Sequence, residues 1–211
     1  MRDVAIVFAR APRLGAVKRR LAREVGERAA LRFHRGVLER LLRALARDRR
    51  FATVLALTPD NARLRLPARI ARVGQGPGGL GQKMARAFRR FPRRRVALVG
   101  CDIPGIAAAD LRAAFRALGH SLSVFGPADD GGYWLVGMAG RRPAHPFATV
   151  RWSSEHALAD TARNFARHQP ALLRRLADVD DAAGLLAAGY SAAGFKCSCK
   201  RGISSTRLQG R

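Results

Sequence analysis

The chain has 211 residues, nearly half of them hydrophobic, which suffices for one well-packed domain and is too few for two. Its formal charge of +25 rests almost wholly on arginine, with lysine only at Lys18, Lys83, Lys196 and Lys200. The arginines are spread along every predicted helix and only two Tyr and two Trp are available for stacking, which disfavours a specific nucleic-acid interface and leaves weak, salt-sensitive adhesion to polyanions.

No apolar run approaches the roughly 18 residues of a membrane span, and the first strand begins by Val4, leaving no room for a signal peptide. The expectation is a cytoplasmic protein. Cys101, Cys197 and Cys199 form neither a disulfide framework nor a zinc ligand set.

In chain order, Val4 to Ala9 is an apolar run of strand length. A loop from Arg10 to Leu21 follows, carrying Pro12, Gly15 and five cations. From Glu27 to Arg47 apolar residues recur at three and four, one face of a helix with arginines opposite. Thr53 to Thr58 and Ala68 to Val73 read as strands. The glycine-rich stretch Gly74 to Gly81 leads into a helix from Gln82 to Phe88. Val96 to Gly100 is a buried strand punctuated by Pro104 and Gly105, and a helix spans Ala108 to Leu118.

Leu122 to Phe125 and Tyr133 to Met138 form a strand and its antiparallel return. A helix from Ser153 to His168 is expected, capped by Ser153 or Ser154. A last strand covers Ala171 to Leu176, and Asp178 to Asp181 open a short helix ending near Gly189. Strands alternating with helices predict one Rossmann-like α/β domain over residues 1–189, a mostly parallel sheet covered on both faces. Residues 190–211 read as a polar, disordered tail.

Four places can carry chemistry. Backbone N–H groups around Pro12 to Gly15, backed by Lys18, Arg19 and Arg20, make an anion-binding strand end, or else a solvated basic loop. The loop has neither the ending of a Walker motif nor a dinucleotide fingerprint. Asp102, at the carboxyl end of a central strand, either holds a divalent metal against phosphates or caps the next helix. Asp129 and Asp130 precede a Gly131-Gly132 turn, a hairpin signal compatible with a functional carboxylate. Asp178 to Asp181 suit a helix N-terminus. His34 and His156 read as packed or surface residues, and Trp152 as a core or pocket residue. The basic loop and these carboxylates would share one sheet edge, an arrangement suited to Mg²⁺ bridging carboxylates and phosphate oxygens.

Phe8 to Leu21, Gly79-Leu80-Gly81, Gly100 to Pro104, Gly126 to Gly137, Trp152-Ser153 and Asp178 to Asp180 together resemble, in order, the motifs of a bacterial GT-A-like family, DUF2064. Its members are often called glycosyltransferase-like, and the pattern is more distantly similar to phospholactate guanylyltransferase and molybdenum-cofactor nucleotidyltransferases. The resemblance implies a GT-A nucleotide-diphospho-sugar transferase fold. It implies nucleotide binding by Ala9, Arg10, Pro12, Gly15, Lys18, Arg20 and Gly81, and metal binding by Asp102 and Asp180. Asp129, Asp130, Gly131, Gly132 and Trp152 would face the substrate.

The catalytic groups implied are Lys18, Asp102 and Asp130, the cofactor Mg²⁺ or Mn²⁺. The partners are a nucleoside triphosphate or nucleotide-sugar and an unidentified acceptor. The expected function is nucleotidyl or glycosyl transfer. The alternative is a non-catalytic nucleotide- or polyanion-binding protein of the same fold. The chain departs from the family pattern at Arg19 (often Thr), Cys101 (Ser or Thr), Asp129 (usually Glu) and Asp181-Ala182-Ala183-Gly184 (Thr-Pro-Glu-Asp).

Overall fold

The computed structural model describes residues 2–165 and 168–190. The expected tail beyond Tyr190, with Cys197 and Cys199, lies outside the described residues.

Seven strands form one sheet: β1 (Asp3–Arg10), β2 (Phe51–Thr58), β3 (Ile70–Gly74), β4 (Val96–Gly100), β5 (Ser123–Pro127), β6 (Tyr133–Met138) and β7 (Ala171–Leu172). Their order is β3-β2-β1-β4-β6-β5-β7, with β6 antiparallel to both neighbours and the remaining pairs parallel. β1 and β4 are covered on both faces, which is why Val4 to Val7 and Val96 to Val99 are continuous apolar runs without alternation.

Among the described residues, six helices surround the sheet: α1 (Arg19–Val25), α2 (Glu27–Arg47), α3 (Leu80–Arg89), α4 (Ala108–Ala117), α5 (Ala157–Arg163) and α6 (Ala182–Ala187). On one face, Leu38, Leu41, Leu42 and Leu45 of α2 and Leu111 and Phe115 of α4 pack on Leu55, Val99 and Leu135. On the other, Met84 and Phe88 of α3 and Phe165, just beyond α5, pack on Ile6, Leu98 and Val136. α2 buries a second stripe, Ala30, Phe33 and Val37, against Leu21 of α1 and Leu185 of α6. Its 21 residues thus serve two packing faces and leave the arginines outside.

Three expectations need correcting. The Arg10 to Leu21 loop gives way to a helix at Arg19, because Lys18 adopts a left-handed conformation (φ 47°) that turns the chain into α1. The helix expected from Ser153 is confined to Ala157–Arg163, and its N-cap position is His156, without a side-chain cap. Ser153 has φ 59°, and the Ser154 hydroxyl donates to the Arg151 carbonyl while accepting from His156 N–H. The last strand pairs only at Ala171 and Leu172, with an isolated bridge from Leu176 to Ala128. Between them Arg174 is held by Asp110 and the Gly105 carbonyl, and Trp134 Nε1 donates to the Arg174 carbonyl. Backbone bonds from Leu173 N–H to the Phe125 carbonyl and from Leu176 N–H to the Pro127 carbonyl stand on either side of these side-chain contacts. The folded unit also includes Tyr190, which is buried and sets its ring edge-on to Phe33 at 5.0 Å. Among the described residues, no helix is long and apolar enough to cross a membrane.

The register positions the site. Phe8 pairs with Gly100, and Arg10 with Thr58. Two residues past the first pair, Arg10 and Asp102 therefore emerge side by side at the carboxyl edge, where β6 also begins.

One position in α2 is unoptimised. Gly36 is exposed in the helix interior, and an added Cβ would meet nothing within 4 Å. Gly36→Ala is therefore expected to stabilise the fold by about 0.5–1 kcal/mol, read as a rise in the urea midpoint at unchanged slope.

Candidate functional site

A cleft of about 400 Å³ opens over this carboxyl edge. Its walls include Ala9 and Arg10 from the end of β1, Asp102 beyond β4, Asp130 and Tyr133 from the β5–β6 turn, and Trp152 and Asp178 from later loops. Open α/β sheets place ligands at this position because strand-end loops there are free to diverge.

Asp102 lies on the floor of the cleft. Its side chain keeps 54% exposure towards the opening, although protein atoms surround it on its other sides. Its two oxygens face different neighbours. Oδ2 is 3.7 Å from the Lys18 ammonium, while Oδ1 is 3.6 Å from His34 Nδ1 and accepts from the Cys101 thiol at 3.6 Å. Burial pushes the carboxyl pKa up, but the His34 imidazole and the Lys18 charge outweigh it and hold it at about 2. Asp102 is therefore an anion throughout the physiological range.

Lys18 is the hub of the acidic cluster. Its side chain is 5% exposed, and Nζ donates to Asp180 Oδ1 at 2.9 Å. Burial alone would lower its pKa; Asp102, Asp180 and Asp178 reverse that effect, and the net shift is upward. Arg20 is largely exposed and reaches Asp180 Oδ2 at 3.8 Å. Asp102 and Asp180, the two carboxylates expected to share a metal, are thus bridged by an ammonium group.

Asp178 joins them, a residue that the sequence placed in a helix-opening acidic run but not among the metal or substrate ligands. Val179 is buried in the core between α1, α2 and α6, so the residues on either side of it turn away from that core. The alternation of Asp178-Val179-Asp180 was the available signal. Burial raises the Asp178 pKa, and the Asp180 charge raises it further. Asp181 has the helix role expected of it, capping α6 by accepting from Gly184 N–H at 2.7 Å.

Other expected residues divide between wall and scaffold. Asp130 is exposed, lines the cleft and accepts from Gly132 N–H at 2.9 Å, closing its own turn. Gly132 is also in the wall, whereas exposed Asp129 is not. Pro12, Gly15 and Arg20 do not form part of the cleft wall. Gly81 meets Trp152: a Cβ there would stand 3.0 Å from Trp152 Cζ2, so its missing side chain lets the indole close that side. Arg151 supports the indole loop by pairing with Asp160 at 2.8 Å. Gly131 has φ 79°, and an added Cβ would lie 2.2 Å from the Glu155 carbonyl oxygen.

His34 is the other residue missed. It is 3% exposed on the apolar face of α2, and Nε2 bonds the Arg10 carbonyl at 3.0 Å. A carbonyl only accepts, so Nε2 carries a proton, and Nδ1 faces Asp102 without a hydrogen-bond partner. The ligand atoms of His34, Cys101 and Asp102 lie within 4.8 Å of one another.

The sequence profile described as "Uncharacterized protein conserved in bacteria (DUF2064)" matches residues 41–154, more than half of the 211. The chain belongs to the DUF2064 family. No curated protein matches this DUF2064 chain significantly. Among solved structures, it is similar to a candidate nucleotide-diphospho-sugar transferase from Desulfovibrio desulfuricans G20. That match has 28% identity and a TM-score of 0.76, covering 86% of this chain and 84% of the other. It also shares its fold with 4-diphosphocytidyl-2C-methyl-D-erythritol synthase of Anaerococcus prevotii, with 11% identity, TM-score 0.58, and 89% and 96% coverage. Mycobacterium tuberculosis Rv0371c, crystallised with manganese, gives 18% identity, TM-score 0.50, and 89% and 97% coverage. The α/β architecture is therefore that of nucleotidyltransferase and GT-A-like proteins.

Three outcomes check this geometry. In Lys18→Met, the Asp102 pKa should rise from about 2 towards the usual carboxylate range, measured by ¹³C-carboxyl NMR titration. An unchanged value would show that the ammonium does not hold the anion. The depressed folded pKa also means that Asp102 contributes stability above pH ~4, lost as pH falls towards 2. Gly131→Ala, strained in both backbone and contact, should cost more than about 1 kcal/mol by urea unfolding.

Proposed function

We propose that this DUF2064 protein is a divalent-metal-dependent transferase that uses an activated nucleotide. The observation that carries the reading is the Lys18 ammonium, buried between Asp102 and Asp180 at the carboxyl edge of the sheet. Similarity to sugar-transferase and cytidylyltransferase structures supports the same class. A buried cation held only by carboxylates can exchange one of them for a phosphate oxygen, because both partners are anionic oxygen acceptors. Arg20, mostly in solvent beside it, supplies a second cation to the same ligand.

The donor chemistry fits Mg²⁺ or Mn²⁺. Asp102 is ionised at neutral pH and open to the cleft, and Asp180 lies across Lys18 from it. These two residues would hold the ion, which when bound neutralises phosphate oxygens as a Lewis acid. Lys18 would pair with the phosphates of the leaving diphosphate and stabilise the charge that develops there. The backbone of Ala9 and Arg10 would border the nucleotide. Asp130, exposed across the cleft, would face the acceptor, with Trp152 and Tyr133 excluding water on the apolar side. The same groups serve attack on an α-phosphorus or on a sugar carbon, since each reaction expels a charged phosphate.

Calorimetry with GTP, CTP, UTP and UDP-sugars, with and without Mg²⁺, tests the reading. Metal-dependent binding of at least one nucleotide is expected. Asp102→Asn should abolish that binding while shifting the melting temperature by less than about 4 °C. Failure of every nucleotide to bind in the presence of Mg²⁺ would overturn the proposal, and unchanged affinity in Asp102→Asn would remove Asp102 from it.

A further inference from the structure

The far side of Asp102 presents a second arrangement, facing away from Lys18. His34 is fixed as a donor through Nε2, because the atom 3.0 Å away is the Arg10 carbonyl oxygen. His34 Nδ1 therefore faces Asp102 Oδ1, 3.6 Å away, in a place 3% exposed where that nitrogen has no hydrogen-bond partner. A ring nitrogen and a carboxylate oxygen that face each other here without a hydrogen bond leave room for a proton or a metal cation between them. A third ligand-type atom is present: Cys101 Sγ lies 3.6 Å from the same oxygen.

We propose that His34 Nδ1, Cys101 Sγ and Asp102 Oδ1 form an inner metal site for a borderline or soft divalent ion of the Zn²⁺ or Co²⁺ type. The spacing agrees. Zinc bonds of about 2.0–2.3 Å at tetrahedral angles place neighbouring ligand atoms about 3.3–3.6 Å apart, against 3.6 Å for both contacts to Oδ1. Imidazole and thiolate select such ions over Mg²⁺, which demands an oxygen-rich octahedron. The Arg10 carbonyl, bonded to the other ring nitrogen, provides the outer contact that fixes the tautomer and orients the ring.

In the metal-free protein the Cys101 thiol donates its proton to Asp102 Oδ1. Binding therefore forms a sulfur–metal bond and releases the thiol proton to solvent. Three protein ligands leave a fourth position for water. This site uses Oδ1, whereas the nucleotide-linked ion proposed above would use the Lys18 side of Asp102 and Asp180. It rests on the placement of these three ligand atoms and not on transferase activity.

The test uses the full chain with Cys197→Ser and Cys199→Ser, so that Cys101 is the remaining thiol. After treatment with a chelator, the protein is titrated with Co²⁺ in the absence of nucleotide. One equivalent should bind, with a near-ultraviolet thiolate-to-cobalt charge-transfer band, release of a proton, and displacement by Zn²⁺ but not by excess Mg²⁺.

Cys101→Ser should remove the band, and His34→Gln, which can still donate to the Arg10 carbonyl, should weaken Co²⁺ binding by about tenfold or more. Without any substitution at the site, Zn²⁺ should slow alkylation of Cys101 while Mg²⁺ leaves it unchanged. Cobalt binding without the band, no cobalt binding at all, or equal alkylation with Zn²⁺ and Mg²⁺ would overturn the site. Nucleotide binding could persist in each of those cases, so failure here is distinct from failure of the transferase reading.

Discussion

Asp102 divides its carboxylate between two environments, and the rest of the site is arranged around that division. One oxygen faces Lys18 and the cleft; the other faces a buried imidazole and a thiol. The residue reaches this position because β4 is paired with β1 in a register that brings Gly100 level with Phe8. It stays ionised because a cation on one side and a polar ring on the other outweigh the cost of partial burial. An anion fixed at a strand end and kept charged is the one element that a metal–phosphate ligand cannot do without.

The same contacts explain how a chain of charge +25 presents an acidic cluster in its cleft. Many arginines are spent on the scaffold. Arg142 donates to the carbonyls of Phe88, Phe91 and Arg94 around the end of α3. Arg174 ties Asp110 and the Gly105 carbonyl to the chain segment that leads to Asp178. Arg151 and Arg163 enclose Asp160 beneath the Trp152 loop. Arginine suits this work because its planar fork satisfies several oxygens at once. Others line the outer face of α2. Much of the excess charge thus sits on the surface and in the clamps, while buried Lys18 is set against Asp102, Asp178 and Asp180 beside the cleft.

Strand periodicity and strand-end punctuation made most of this legible in the sequence. Val96 to Gly100, Tyr133 to Met138 and the long α2 follow from apolar runs and 3.6-residue spacing, and Asp102 follows from its place after a buried strand. What periodicity could not show was where a strand stops or a loop turns into a helix. The last strand ends at Leu172, with Trp134 bonded to the Arg174 carbonyl beyond it, and the left-handed Lys18 started a helix where a loop was expected. His34 was hidden for another reason: it falls in the apolar stripe of α2, so spacing alone reads it as packing. Its meaning depends on Arg10 and Asp102, which only the folded sheet brings to it. Cys101 looked like a small buried residue for the same reason. The motif resemblance located the acidic positions, but the ammonium standing between Asp102 and Asp180 is visible only in three dimensions.

Manganese anomalous diffraction from crystals grown with Mn²⁺ and a nucleoside triphosphate addresses the central claim directly. A peak about 2 Å from an Asp102 carboxylate oxygen, with Lys18 turned from the carboxylates to a phosphate, is the predicted result. Nucleotide bound with its manganese away from Asp102, and the Lys18–Asp102 and Lys18–Asp180 pairs intact, would contradict it.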